Sequence, residues 1–276
     1  MRRKDFTAEE LLTRVLNNKS QKTYWDNVRE LYRRGGEETF KRCYQLVKTG
    51  TDREKEIAVD ILAQLGSTGR PYLKESLQLY FELLERALLD SAFTTDLLIT
   101  VLHAIRFNND TLSAAQAKAV AAFKSHSDKY VRLGVVYALL GVEHQVAVDA
   151  MVELTTDKFS AIRNWATFGI GSRIDKHPKQ IITALWNRVN DKEEETRFEA
   201  IVGLAIRKEA GIKEVIIQEL LTGEFGTLLF DAIEALDDAD FLPALKRLHK
   251  ESQKDKTIDP GWLGKLGETI FSLSAQ

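Results

Sequence analysis

The sequence predicts an all-α fold, an α-α superhelix in which pairs of helices stack into a solenoid. Three observations carry this expectation. A unit recurs as SDKYVRLGVVYALLG, TDKFSAIRNWATFGIG and NDKEEETRFEAIVGLA, each opening on Asp-Lys, placing Arg132, Arg163 or Arg197 a few residues on, and continuing with small and aliphatic residues at helical spacing. Related starts fall at 52, 90, 128, 157, 191 and 223, so they lie 38, 38, 29, 34 and 32 residues apart. Two helices fill such a period. No stretch alternates apolar and polar residues between turn signals, and four prolines and sixteen glycines in 276 residues leave room for many helices. The expected layout is one solenoid domain over 1–276 with six to seven helix pairs. Capping helices occupy 1–50, repeats 52–252, and a closing helix 259–276.

The elements follow in order. Thr7-Ala-Glu-Glu10 is a capping box that starts the first helix. A second helix begins around Thr23, presents Tyr24, Val28, Leu31 and Tyr32 on one face, and stops at Gly35-Gly36; its partner carries Phe40, Tyr44 and Val47 and ends at Gly50. In the repeats that open on Asp, which excludes the copy at Gly223, an Asp before the first turn accepts hydrogen bonds from unpaired N–H groups and complements the helix dipole. The buried stripes run through Ile57, Ile61 and Leu65, through Val131, Val135 and Leu139, and through Ile162, Ala166 and Ile170. Gly134, Ala138, Gly169 and Gly203 permit close helix approach, and Gly66, Gly141 and Gly171 are read as left-handed helix ends. Second helices are expected over 71–89, 112–124, 146–154, 178–189, 213–221 and 240–250, with Pro71 and Pro178 at first helical positions. Asp259 and Pro260 open a last helix whose inner face holds Ile270 and Leu273.

These units resemble HEAT repeats, specifically the bacterial HEAT-like type of phycobilisome lyases. The family pattern is an Asp, an aliphatic-Arg pair, small residues, then Ala-Leu-Gly. It is matched by Asp128 with Val131-Arg132 and Ala138 to Gly141, and by Asp157 with Ile162-Arg163, Ala166 and Gly171; Asp191 with Thr196-Arg197 and Asp52 with Ile57-Ala58 match in part. The resemblance covers about residues 52–250. It implies a right-handed superhelix whose second helices line a concave face, and an Asp–Arg ladder carried here by Asp128, Arg132, Asp157, Arg163, Asp191 and Arg197. The copies at Asp52, Asp90 and Gly223 lack the Arg. Lyase or isomerase activity on bilins rests on the family name alone.

Composition bounds the function. No His-Glu-x-x-His, Cys-x-x-Cys, phosphate loop or Gly-x-Ser-x-Gly is present, and the five histidines share no helical spacing. Asp237, Asp238 and Asp240 read as a turn and cap rather than a cation site, and Glu193-Glu194-Glu195 as a solvated first turn. Neither a cofactor nor a metal is expected. One cysteine, no apolar leader and no run long enough to span a bilayer point to a cytoplasmic protein off the membrane. The net charge of −2 disfavours nucleic acid, although residues 1–50 carry +5 and residues 190–251 carry −7.

One position departs from its copies. Trp165 occupies a slot that holds Asp60, Gly134, Glu199 and Asp231 elsewhere, so the slot touches water. A Trp beside Arg163 and Asn164 is either a binding anchor or a ring packed on a neighbouring helix. Trp186, Arg188 and Tyr80 on second helices, with Arg173, Asp175 and His177 in the turn between, complete the candidate patch. The expectation is a non-enzymatic scaffold binding a protein or peptide. The alternative is a DNA-binding protein, since some HEAT-like bacterial proteins resemble alkylpurine DNA glycosylases, which set aromatic residues and a carboxylate against DNA.

Overall fold

The computed structural model describes residues 3–18, 20–66, 69–175 and 178–275. Sixteen α-helices and three short 3-10 turns account for the secondary structure among the described residues, with no strand. The chain falls into two compact units, Met1–Ala150 and Met151–Gln276.

The first unit contains α1 (Ala8–Asn17), α2 (Gln21–Arg34), α3 (Glu37–Thr49), α4 (Asp52–Leu62), α5 (Leu73–Leu89), α6 (Thr95–Arg106), α7 (Ala114–Ala121) and α8 (Lys129–Leu139), and its boundary falls inside α9 (Gln145–Leu154). Capping boxes start α1, α4 and α7, where Thr7, Thr51 and Ser113 each accept from an N–H three residues on and receive the return bond from Glu10, Glu54 and Gln116. These satisfy donors that a helix start otherwise exposes. Helices α2, α4, α6 and α8 stack in one row, and α3, α5 and α7 in a second. Between the rows lie Val28, Ile57, Ile61, Val101, Ile105, Val131 and Val135, all fully buried. Gly66 and Gly141 take φ of +70° and +79° just past their helices, a conformation that other L residues adopt only with strain.

The second unit contains α10 (Ser160–Ser172), α11 (Lys179–Trp186), α12 (Glu194–Ile206), α13 (Ile212–Thr222), α14 (Leu228–Leu236), α15 (Leu242–Ser252) and α16 (Pro260–Ser274). Here α10, α12, α14 and α16 form one row, with α11 and α13 packed across α12 and α15 across α16. The closing helix buries Leu266, Thr269 and Leu273, and Asp259 caps it by accepting from the Trp262 N–H at 2.9 Å.

Three local expectations are corrected. Gly171 does not end its helix in a left-handed conformation; it lies inside α10, where its Cα faces Gly203 of α12. A Cβ on Gly203 would stand 2.7 Å from that Cα, so the pair exists to bring two helices together. Pro178 is the N-cap of α11 rather than its first residue, and Pro71 precedes α5 by two residues.

Candidate functional site

The ladder residues share one local geometry. Asp128 accepts from the N–H groups of Tyr130 and Val131, Asp157 from that of Phe159, and Asp191 from that of Glu193. Each Arg then folds back beneath its own helix start. Arg132 donates to the carbonyls of His126 and Ser127 at 2.8 and 3.0 Å, Arg163 to that of Asp157 at 3.0 Å, and Arg197 to that of Asp191 at 3.3 Å. Arg163 also reaches the next repeat, gripping both Asp191 oxygens at 3.0 and 2.9 Å, while Arg188 adds a third contact at 3.0 Å. Burial alone would raise the Asp191 pKa. The hydrogen bonds from Arg163 and the Glu193 N–H, with the charges of Arg163 and Arg188, hold it below the ordinary carboxylate range.

Several members of the binding patch expected from sequence are buried or already paired. Tyr80 is wholly buried within α5 and presents no surface. Arg163 and Arg188 are committed to Asp191. Arg173 is exposed at the C-cap of α10, and Trp186 is half-buried, its ring resting over the Gly211 turn. Asp175 is exposed, and His177 lies outside the described residues.

Trp165 instead joins a cleft along the first row of the second unit. With Asn164, Phe168, Glu195, Glu199 and Leu228 it lines about 250 Å³. Trp165 and Phe168 sit one turn apart on α10, their rings 5.7 Å apart and nearly perpendicular at 86°. Glu195 and Glu199 sit one turn apart on α12 and face them. The Asn164 amide donates to Glu195 at 2.9 Å, so this member of the acidic run is turned into the cleft rather than simply solvated. Glu199 is half-buried and has no hydrogen-bond or ion-pair partner among the described residues. Burial first, then the charges of Asp231 and Glu195, push its pKa up to about 7.

A second concavity, about 570 Å³, opens between α13 and α15. Ile217, Leu220, Leu221, Ala244 and Leu248 line it, and Leu221 is 69% exposed. Its rim is charged: Lys213 binds Asp238 at 2.6 Å and Asp240 at 2.7 Å, while Arg247 and Glu251 stand on α15. Asp238 and Asp240 thus act as cap and ion-pair partners, Asp238 accepting from the Asp240 N–H at 2.9 Å, while Asp237 is the C-cap residue of α14. Sequence reasoning passed over this groove. The signal was that α13 is apolar on two faces, through Ile212 and Ile216 inward and Ile217 and Leu221 outward.

No group of three or more side chains suited to a metal ion occurs among the described residues, and no helix among them is long and apolar enough to cross a membrane. No family model matches the sequence. Over 116 residues the chain is 30% identical to Protein YibA of Escherichia coli K12, a stretch spanning 42% of this chain and 41% of that relative. YibA of Escherichia coli O157:H7 matches to the same extent. The X-ray structure of YibA superposes with a TM-score of 0.72 at 20% identity, covering 99% of this chain and 94% of that one. A designed armadillo repeat protein in complex with the peptide (KR)4 gives a TM-score of 0.50 at 18% identity, covering 72% and 98%. The chain therefore has a helical-repeat fold, similar to that of YibA and of an armadillo repeat design.

Proposed function

We propose that this chain is a non-enzymatic repeat scaffold that binds a polypeptide, and that the groove between α13 and α15 receives it. The observation supporting this reading is the open apolar lining. Three leucines and one isoleucine lining the groove from two neighbouring helices, with both signs of charge at the rim, suit an amphipathic segment with a few apolar anchors. The groove is built from helices already packed on α12, α14 and α16, so little ordering would oppose binding. The peptide-bound armadillo design is an instance of a similar fold doing such work. The alternative of a nucleic acid partner is disfavoured by the −7 charge of residues 190–251, which repels a phosphate backbone.

Selection from a displayed peptide library tests this. Wild-type protein should enrich peptides with spaced apolar anchors, and Leu221→Glu should weaken the winners by about tenfold or more. Failure to enrich, or enrichment indifferent to Leu221→Glu, removes the groove from the account. A gel shift with duplex DNA at low salt that gave tight, salt-sensitive binding would favour the alternative instead.

A further inference from the structure

The cleft of Trp165, Phe168, Glu195 and Glu199 is separate from that groove, and its chemistry is different. Two aromatic rings form one wall and two carboxylates the other. An aromatic face attracts a cation through its quadrupole, and a carboxylate through its charge. A neutral apolar ligand would leave Glu199 desolvated and unpaired, and an anion would be repelled. The Oδ1 of Asn164, buried and without a hydrogen-bond partner among the described residues, adds an unused acceptor at the same place.

The first unit shows what the slot holds when the chain fills it. Asp60 stands eight residues past Asp52, as Glu199 stands eight past Asp191. Tyr24 of α2 donates to Asp60 at 2.5 Å, and the Arg53 guanidinium lies 5.4 Å from the Tyr24 ring centre and acts on Asp60 by its charge. Aromatic ring, carboxylate and cation are all supplied from within. In the second unit the ring (Trp165) and the carboxylate (Glu199) recur at the corresponding place. On α16 of the same row, Lys265 is bound to Asp231 at 2.8 Å and Glu234 at 2.9 Å. We infer that this cleft is a binding site for an organic cation, an alkylammonium or guanidinium head group, held between the Trp165 and Phe168 rings and the Glu199 carboxylate. The volume suits a head group rather than a larger molecule.

The test titrates the whole chain by calorimetry with choline, with its uncharged analogue in which carbon replaces the quaternary nitrogen, and with N-acetyl-arginine methylamide. At least one cation should bind and the uncharged analogue should not. Choline alone assigns the site to a free ammonium compound, and the arginine amide alone to a basic side chain of a polypeptide. Trp165→Leu and Glu199→Gln should each weaken the binding about tenfold. Absence of binding by both cations at about 10 mM, a range that detects even weak sites, overturns the proposal. So does equal binding of the uncharged analogue, which needs no variant to fold. Loss of peptide selection by Leu221→Glu with cation binding intact would separate the two sites.

Discussion

The slot eight residues into the repeat is closed in the first unit and open in the second. Asp60 is shielded by burial, which pushes its pKa up to about 6 against the pull of the Tyr24 hydroxyl and the Arg53 charge. Glu199 is pushed up to about 7, with Asp231 and Glu195 adding repulsion and no cation among the described residues answering it. The same backbone position thus ties two helices together in one unit and faces a cleft in the other. A repeat fold allows this because stacking is held by other residues, chiefly the apolar stripes and the Arg–Asp contacts. Those leave the slot free to vary.

The comparison can be broken first at the ladder. Asp191→Asn removes the charge that Arg163 and Arg188 share and strands a nearly buried guanidinium, so the second unit should lose about 3 kcal/mol in urea unfolding at pH 7. Because the Asp191 pKa is lowered on folding, its contribution is present above the ordinary carboxylate value and is lost as pH falls through the folded one. The variant's deficit should shrink accordingly in acid; a deficit that stays constant would mean packing, not charge, holds the rung. Gly203→Ala should cost about 2 kcal/mol, since its methyl meets the Gly171 backbone and parts α10 from α12. A neutral result would mean that these helices have room to spare.

The two slots should then answer substitution with opposite signs. Tyr24→Phe leaves the Asp60 carboxylate without its hydroxyl donor and should destabilise by about 1.5 kcal/mol at pH 8. Glu199→Gln should stabilise by about 1 kcal/mol at the same pH and hardly at all at pH 4. The sign follows from a folded value of about 7 against an ordinary 4.5: between them the folded state keeps a proton the unfolded chain has released, so stability falls as pH rises across that window. The groups facing Glu199 are Glu195 on its own helix and Asp231 on α14, itself bound by Lys265 of α16. Equal signs at Tyr24 and Glu199 would mean that the second slot is as well satisfied as the first.

Much of the fold was legible because it rests on periodicity. The Asp starts at 128, 157 and 191, the apolar stripes and the turn glycines at 66 and 141 follow from local rules that tertiary context did not override; at the 52 copy Thr51 caps the helix instead of Asp52. Gly171 was misread because a glycine near a helix end looks the same in sequence whether it caps the helix or lets another helix approach. Only the facing Gly203 distinguishes the two. Tyr80 was placed on a surface although Leu77, Leu79, Leu83 and Leu84 surround it on α5, a helix buried on more than one stripe. The cleft was half visible. Trp165 and Glu199 had been aligned in one slot, and stacking consecutive repeats brings equal slots together. Yet Glu199 was read only as a sign that the slot is wet, and Glu195 only as part of a solvated first turn.

The most direct measurement is the titration of the Glu199 carboxyl by carbon-detected nuclear magnetic resonance, with and without choline or the arginine amide. An open slot awaiting a cation predicts a midpoint about 7 in the free chain, falling toward the ordinary glutamate value as the bound cation favours the ionised form. An ordinary midpoint in the free chain, or a raised one that neither cation moves, would contradict it.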